Sequence, residues 1–238
     1  MNKRPICVFL ILTLAVTALC GCSEQRGTAS SSDTPSQTES TESVTPTSAL
    51  ISTEHICQLD KWPTGCESVS AVMALRYAGV EITVDDFIND YLVCTKRPFD
   101  PNKSFGGNPR SASGNGCYAP VIKSACDKLL SGTKLEAEVL SEPTVADLCE
   151  KYVARDIPVI IWATLDMAKP FVGDSWEFEG KAITWIRPEH CLLLVGYNSE
   201  SYIFRDPMHR ESVTYYSKEA TETAYKGLFC QAVVIKEK

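Results

Sequence analysis

The sequence holds three histidines in 238 residues, and that scarcity makes any histidine-dependent chemistry easy to trace. Basic residues are also outnumbered: 23 Lys and Arg face 30 Asp and Glu, a formal charge of −7. An acidic chain of this kind argues against nucleic-acid partners and against a basic membrane-docking face. No C-x-x-C pair occurs among Cys57, Cys66, Cys94, Cys117, Cys126, Cys149, Cys191 and Cys230. That absence removes support for a structural zinc site or a thioredoxin-like redox motif. No metal cluster with sensible ligand spacing and no cofactor motif stands out, so neither a metal nor a cofactor is expected. Internal repeats and transporter-like membrane segments are also missing.

The one sustained apolar run lies at the start. Lys3 and Arg4 precede Ile6–Ala18, which carries no charge and is too short for a comfortable membrane span. Leu19-Cys20-Gly21-Cys22 follows and resembles the lipobox of bacterial lipoprotein signal peptides. Residues 1–21 are therefore read as the signal and Cys22 as the lipidated first residue. The plainer alternatives are a secretory signal cut near Gly21 or an uncleaved anchor. Loss of Lys3 and Arg4 with the signal moves the formal charge from −7 to −9. Residues 22–53 are rich in Ser, Thr, Pro and Glu, too poor in large apolar side chains to offset ordering entropy, and read as a disordered tether. The localisation expected is outside the cytoplasm, held to the membrane by lipid. Residues 54–238 remain as one domain, expected to be monomeric.

Within that domain, Pro63-Thr64-Gly65-Cys66-Glu67 is a turn leading into helical apolar spacing over 66–78, with Gly79 as its stop. Cys66 thus stands at a helix N-terminus, where aligned peptide dipoles favour a thiolate. Thr83, with Asp86 three residues on, approximates a capping box for a second helix. Residues 98–118 read as a long loop, either a lid or a wrap, and further helices are predicted over 119–130 and after Thr144. The period then changes. Residues 158–164, 183–186, 190–197, 202–205 and 229–235 read as strands. Helices first and an antiparallel sheet second predict an α+β fold.

Nucleophilic catalysis by cysteine needs a base and a group that orients it. His190 opens the strand His190-Cys191-Leu192-Leu193-Leu194-Val195-Gly196-Tyr197 and is the expected base. Asp206 ends the neighbouring strand after a short turn, so pairing of the two would bring it to His190. Whether both face the same side depends on a bulge or on turn length. His209 reads as a surface loop residue and His55 as exposed. Gln58, upstream of the helix, is a candidate oxyanion donor beside the Cys66 N–H. Trp162, Trp176 and Trp185 either wall the cleft or pack in the core. Cys94 and Cys117, flanking the long loop, are the pair to test first for a disulfide.

Gln58, the Pro63–Ser68 block, Tyr77-x-Gly79, Phe99-Asp100-Pro101-Asn102, Phe105-x-Gly107-x-Pro109, residues 158–164, Glu189-His190-Cys191 with Val195-Gly196-Tyr197, and Asp206-Pro207 occur in this order. Together they resemble the C39-like peptidases of the papain-like cysteine peptidase superfamily. The resemblance implies a papain-like fold, with Cys66 as nucleophile, His190 as base, Asp206 as its partner and Gln58 in the oxyanion hole. The substrate implied is a peptide or protein, a cell-wall peptide included. The bacteriocin-processing relatives are fused to transporters, whereas this chain carries a signal and a tether, which places its substrate outside the membrane. A cell-wall amidase or acyl transferase with the same triad, or a binding module without activity, are the other readings.

Overall fold

The computed structural model describes residues 46–238. The expected signal, Cys22 and the tether up to residue 45 lie outside them. Among the described residues five α-helices occur in chain order: α1 (Cys66–Tyr77), α2 (Val84–Asp86), α3 (Ala119–Leu129), α4 (Val145–Lys151) and α5 (Lys218–Gly227). The strands are β1 (Ala49–Leu50), β2 (Cys94–Thr95), β3 (Phe105–Gly106), β4 (Leu135–Leu140), β5 (Val159–Thr164), β6 (Phe171–Phe178), β7 (Lys181–Arg187), β8 (Glu189–Tyr197), β9 (Ser201–Arg205), β10 (Thr214–Ser217) and β11 (Ala232–Glu237).

Six strands form an antiparallel sheet in the order β10-β9-β8-β5-β11-β4, and β1 joins as the seventh by pairing with the far end of β8. The α+β expectation is therefore met. At its centre β5 is buried at every position, so the sheet is covered on both faces there. Helix α1 packs on β8 and is itself buried from Cys66 through Leu75. A helix buried all round needs no amphipathic stripe. The hydroxyl of Ser70 donates to the Cys191 carbonyl at 3.2 Å and ties α1 to β8.

Several local expectations carry through. The Thr83 side chain accepts from the Asp86 N–H, and Thr144 with Asp147 makes a full capping box. Others need correction. The folded unit starts before residue 54, because Ala49 and Leu50 pair with Tyr197 and Gly196, and Ile51 and Thr53 are buried. Composition could not show this, since two paired residues are enough to order a polar stretch. Strands β4, β6 and β10 and helix α5 were not anticipated. Phe229 and Cys230 have left-handed backbones, so the last strand begins at Ala232 rather than at residue 229. All eight cysteines of the described residues are free thiols, Cys94 and Cys117 included.

Candidate active site

The turn before α1 requires glycine at one point. A Cβ on Gly65 would lie 2.8 Å from the Cβ of Trp62, two atoms that cannot move apart without moving backbone. This tight turn sets Cys66 as the first residue of the helix. Gln58 reaches the same place from the chain upstream. Its backbone N–H donates to the Pro207 carbonyl at 2.9 Å, fastening it to the Asp206-Pro207 turn. Its side-chain amide donates to the Pro63 carbonyl at 3.0 Å, leaving one amide hydrogen uncommitted and Oε1 buried without a partner.

His190 and Asp206 meet because of a bulge. At the turn end of the hairpin, Tyr197 faces Tyr202 and Gly196 faces Ile203; past Val195, Leu194 faces Phe204 and Leu193 faces Arg205. Continuing that register sets Asp206 opposite Leu192, two residues from His190 and on the same face of the strand. Without the shift, Asp206 would stand opposite Leu193 and face the other way. The outcome is a hydrogen bond of 2.7 Å between His190 Nε2 and Asp206 Oδ1, with His190 3 % and Asp206 0 % exposed. The Tyr216 hydroxyl donates to Asp206 Oδ2 at 2.8 Å and the Met208 N–H to Oδ1 at 2.9 Å. Burial works to raise the Asp206 pKa. The charge of His190 and the hydrogen bonds from His190, Met208 and Tyr216 outweigh it and hold the group at about 2.

The thiol sits in the opposite environment. Cys66 Sγ donates to Glu67 Oε2 at 3.3 Å and makes no hydrogen bond to His190. Glu67 is fully buried, and its Oε1 accepts the Cys117 N–H at 2.6 Å. Glu189, the residue before His190, brings a second carboxyl to the same spot. The sulfur and an oxygen of each carboxyl lie within 4.8 Å of one another. Burial pushes the Cys66 thiol well above its ordinary value, and the neighbouring Glu67 carboxylate adds to this. The helix dipole is thus outweighed at rest, contrary to what the position of Cys66 at the head of α1 implies in isolation. This is the sole cluster of three sulfur, imidazole or carboxylate donors among the described residues. Its sulfur is the candidate nucleophile, and both Glu67 oxygens already accept hydrogen bonds.

Gln58, Cys66, Glu189 and His190 line one cavity of about 160 Å³, together with Thr64, Asn115, Leu165 and Met208. The four expected site residues therefore divide in a definite way. Cys66, His190 and Gln58 share this cavity, and Asp206 stands behind His190. His209 lies on the outer side of Asp206, 2.9 Å from Asp166 Oδ1 and 3.2 Å from the Tyr216 hydroxyl. His55 is half-buried, with Nε2 2.9 Å from the His209 carbonyl, rather than exposed. The tryptophans pack instead of walling the cavity. Trp162 is buried and donates to the Cys117 carbonyl at 2.8 Å, and Trp185 stacks on Tyr118 at 5.1 Å. Trp176 stacks on Phe99 at 5.0 Å, which pins the 98–118 loop as a wrap.

Glu67 and Glu189 were missed as site residues. The signal was present, since each expected reactive residue on the cavity has a glutamate as its chain neighbour. Asp166, Tyr216 and Met208 could not have been found in this way, because they reach the site only through the fold of the β9–β10 connection and the segment after β5.

A family model described as the Peptidase_C39 like family matches residues 50–233. A crystal structure of a Bacillus anthracis protein assigned to the C39-like peptidases superposes with a TM-score of 0.73. It shares 26 % identity and covers 80 % of this chain and 98 % of its own. YvpB of Bacillus subtilis (strain 168), itself uncharacterized, is 25 % identical over 180 residues, covering 73 % of this chain and 69 % of YvpB.

Proposed function

The chain belongs to the Peptidase_C39 like family and has its cysteine-peptidase fold, and from that premise we propose that it is an exported, lipid-anchored thiol hydrolase acting on a peptide or isopeptide bond. Cys66 is the nucleophile. His190 takes the thiol proton, returns it to the leaving amine and then activates water. Asp206 holds the imidazole by its Nε2, leaving Nδ1 to face the sulfur. The free amide hydrogen of Gln58 and the Cys66 N–H receive the oxyanion. The observation that carries this reading is the buried 2.7 Å His190–Asp206 pair at the wall of a cavity that also holds Cys66 and Gln58.

The sulfur now bonds to Glu67, so reaction begins with rotation of the Cys66 side chain toward His190. That same observation favours, as a second reading, a binding module whose thiol stays parked. The N-terminal signal and Cys22 support a site facing outside the cytoplasm, where protein substrates and cell-wall peptides are both present. The test is turnover of a peptide library and of cell-wall fragments by the full chain, with Cys66→Ala as the blank. Cleavage of either that Cys66→Ala lacks supports the hydrolase and names its substrate class. No difference between the two proteins supports the binding module.

A further inference from the structure

We propose that Glu67 and Glu189 hold one proton between them beneath Cys66, Glu189 as the un-ionised carboxylic acid and Glu67 as the carboxylate, and that Glu67 is thereby the positioning residue that keeps the nucleophile a neutral thiol at rest. The inference rests on Cys66 being the nucleophile and adds what controls it.

Hydrogen bonding assigns the proton. Glu67 Oε1 accepts the Cys117 N–H at 2.6 Å and Oε2 accepts the Cys66 thiol at 3.3 Å, so every oxygen of this fully buried carboxyl receives a donor. That pattern favours the ionised form. Glu189 has the reverse: its Oε1 is buried with no partner, a poor site for a negative charge and a workable one for a carboxylic acid. The two carboxyls are held close by Gly116, where an added Cβ would sit 2.8 Å from Glu189 Oε2 and 2.8 Å from Glu67 Oε1. Two carboxylates in so dry a place do not both ionise at neutral pH.

The surroundings leave the pair without a fixed cation. The titratable groups that face it are Cys66 on α1, His190 and Cys191 on β8, Cys94 on β2, and Cys117 and Tyr118 at the end of the 98–118 loop. Only His190 can become positive, and its Nε2 is committed to Asp206. Burial raises both carboxyls above the usual glutamate range, and the charge of Glu67 pushes Glu189 further still. A thiolate at Cys66 must form beside the Glu67 charge. The cost falls once the sulfur turns away toward His190, so the pair discourages reaction of the thiol with anything that does not draw it into the cavity.

The experiment is the pH profile of alkylation of Cys66 by iodoacetamide in the full chain, read by peptide mapping so that the other thiols do not interfere. Glu67→Gln keeps an oxygen for the Cys117 N–H and removes the charge. Its alkylation midpoint should fall by about one pH unit or more, a tenfold change in thiolate fraction. Glu189→Gln replaces one neutral group by another and should leave the midpoint where it is in the unmodified protein. An unmoved midpoint in Glu67→Gln, or an equal fall in Glu189→Gln, overturns the proposal. If Glu67→Gln does not fold, the infrared carbonyl stretch of an un-ionised carboxyl decides. Its presence at pH 7 and loss in Glu189→Gln supports the pair, and its absence from the unmodified protein overturns it. Neither readout depends on turnover, so a failed peptidase assay and a failed acid pair remain separate results.

Discussion

On the strand side of the cavity, Asp206 is buried with a hydrogen-bonding partner on each oxygen and its charge matched by an imidazole. On the helix side, Cys66 is buried against two carboxyls with no fixed cation, and one carboxyl oxygen has no partner at all. Burial is similar, yet the proton affinities move in opposite directions: Asp206 is held at about 2, while Cys66, Glu67 and Glu189 are all raised. Burial alone therefore does not set acid strength here. The charge beside each group does, an imidazole beside Asp206 and a carboxylate beside Cys66 and Glu189. Under the proposed mechanism, one side presents a base and its orienter, and the other stores the nucleophile in its unreactive form.

Breaking each side in turn tests the contrast. Cys66→Ala should abolish turnover while changing the unfolding midpoint little, because a small buried group is replaced by a smaller one; activity and denaturant titration read the two effects. Asp206→Asn keeps the shape of the strand side and removes its charge. It should lower kcat by roughly 10²–10⁴, less than Cys66→Ala, by presenting the wrong imidazole tautomer. Unchanged kcat would move the orienting role to another group.

The two sides should also respond to pH with opposite signs. The Asp206 pKa is depressed from 3.8 to about 2, so its contribution is complete above pH 4 and lost as pH falls through about 2. It amounts to about 2 kcal/mol of unfolding free energy. Glu189 is raised above its ordinary 4.5. The unfolded chain then sheds that proton first, and stability declines as pH climbs above 4.5. Glu189→Gln should be more stable than the unmodified protein at pH 8 and no more stable at pH 4. Equal effects at both pH values would show packing rather than charge. The smallest change expected is from Tyr216→Phe, which removes one hydrogen bond to Asp206. It should cost about 1 kcal/mol and raise the pH at which the acid limb ends.

Much of the site was legible because its parts leave local marks. A Pro-Thr-Gly turn before an apolar helix predicts where Cys66 stands, and three histidines leave few candidates for the base. The β8–β9 hairpin follows from a leucine-rich apolar run and a β-branched and aromatic run separated by a short turn. The rest depends on contacts distant in sequence. Glu67 becomes an acceptor only because the loop ending at Cys117 lies over it, 50 residues on. The 49–53 segment is short and follows a Ser/Thr-rich stretch, and pairing with β8 makes it part of the domain.

The sequence by itself determined the residue types, the helix that carries Cys66, the α+β class and the placing of His190 on one strand with Asp206 just past the end of its neighbour, because period, caps and turns are local. Tertiary structure decided the rest. The register shift at Val195 chose the face on which Asp206 meets His190, since side chains alternate along a strand and one extra residue reverses them. The meeting of Glu67 with Glu189 chose the charge state around Cys66, since proton affinity depends on neighbours in space rather than on position at the head of a helix.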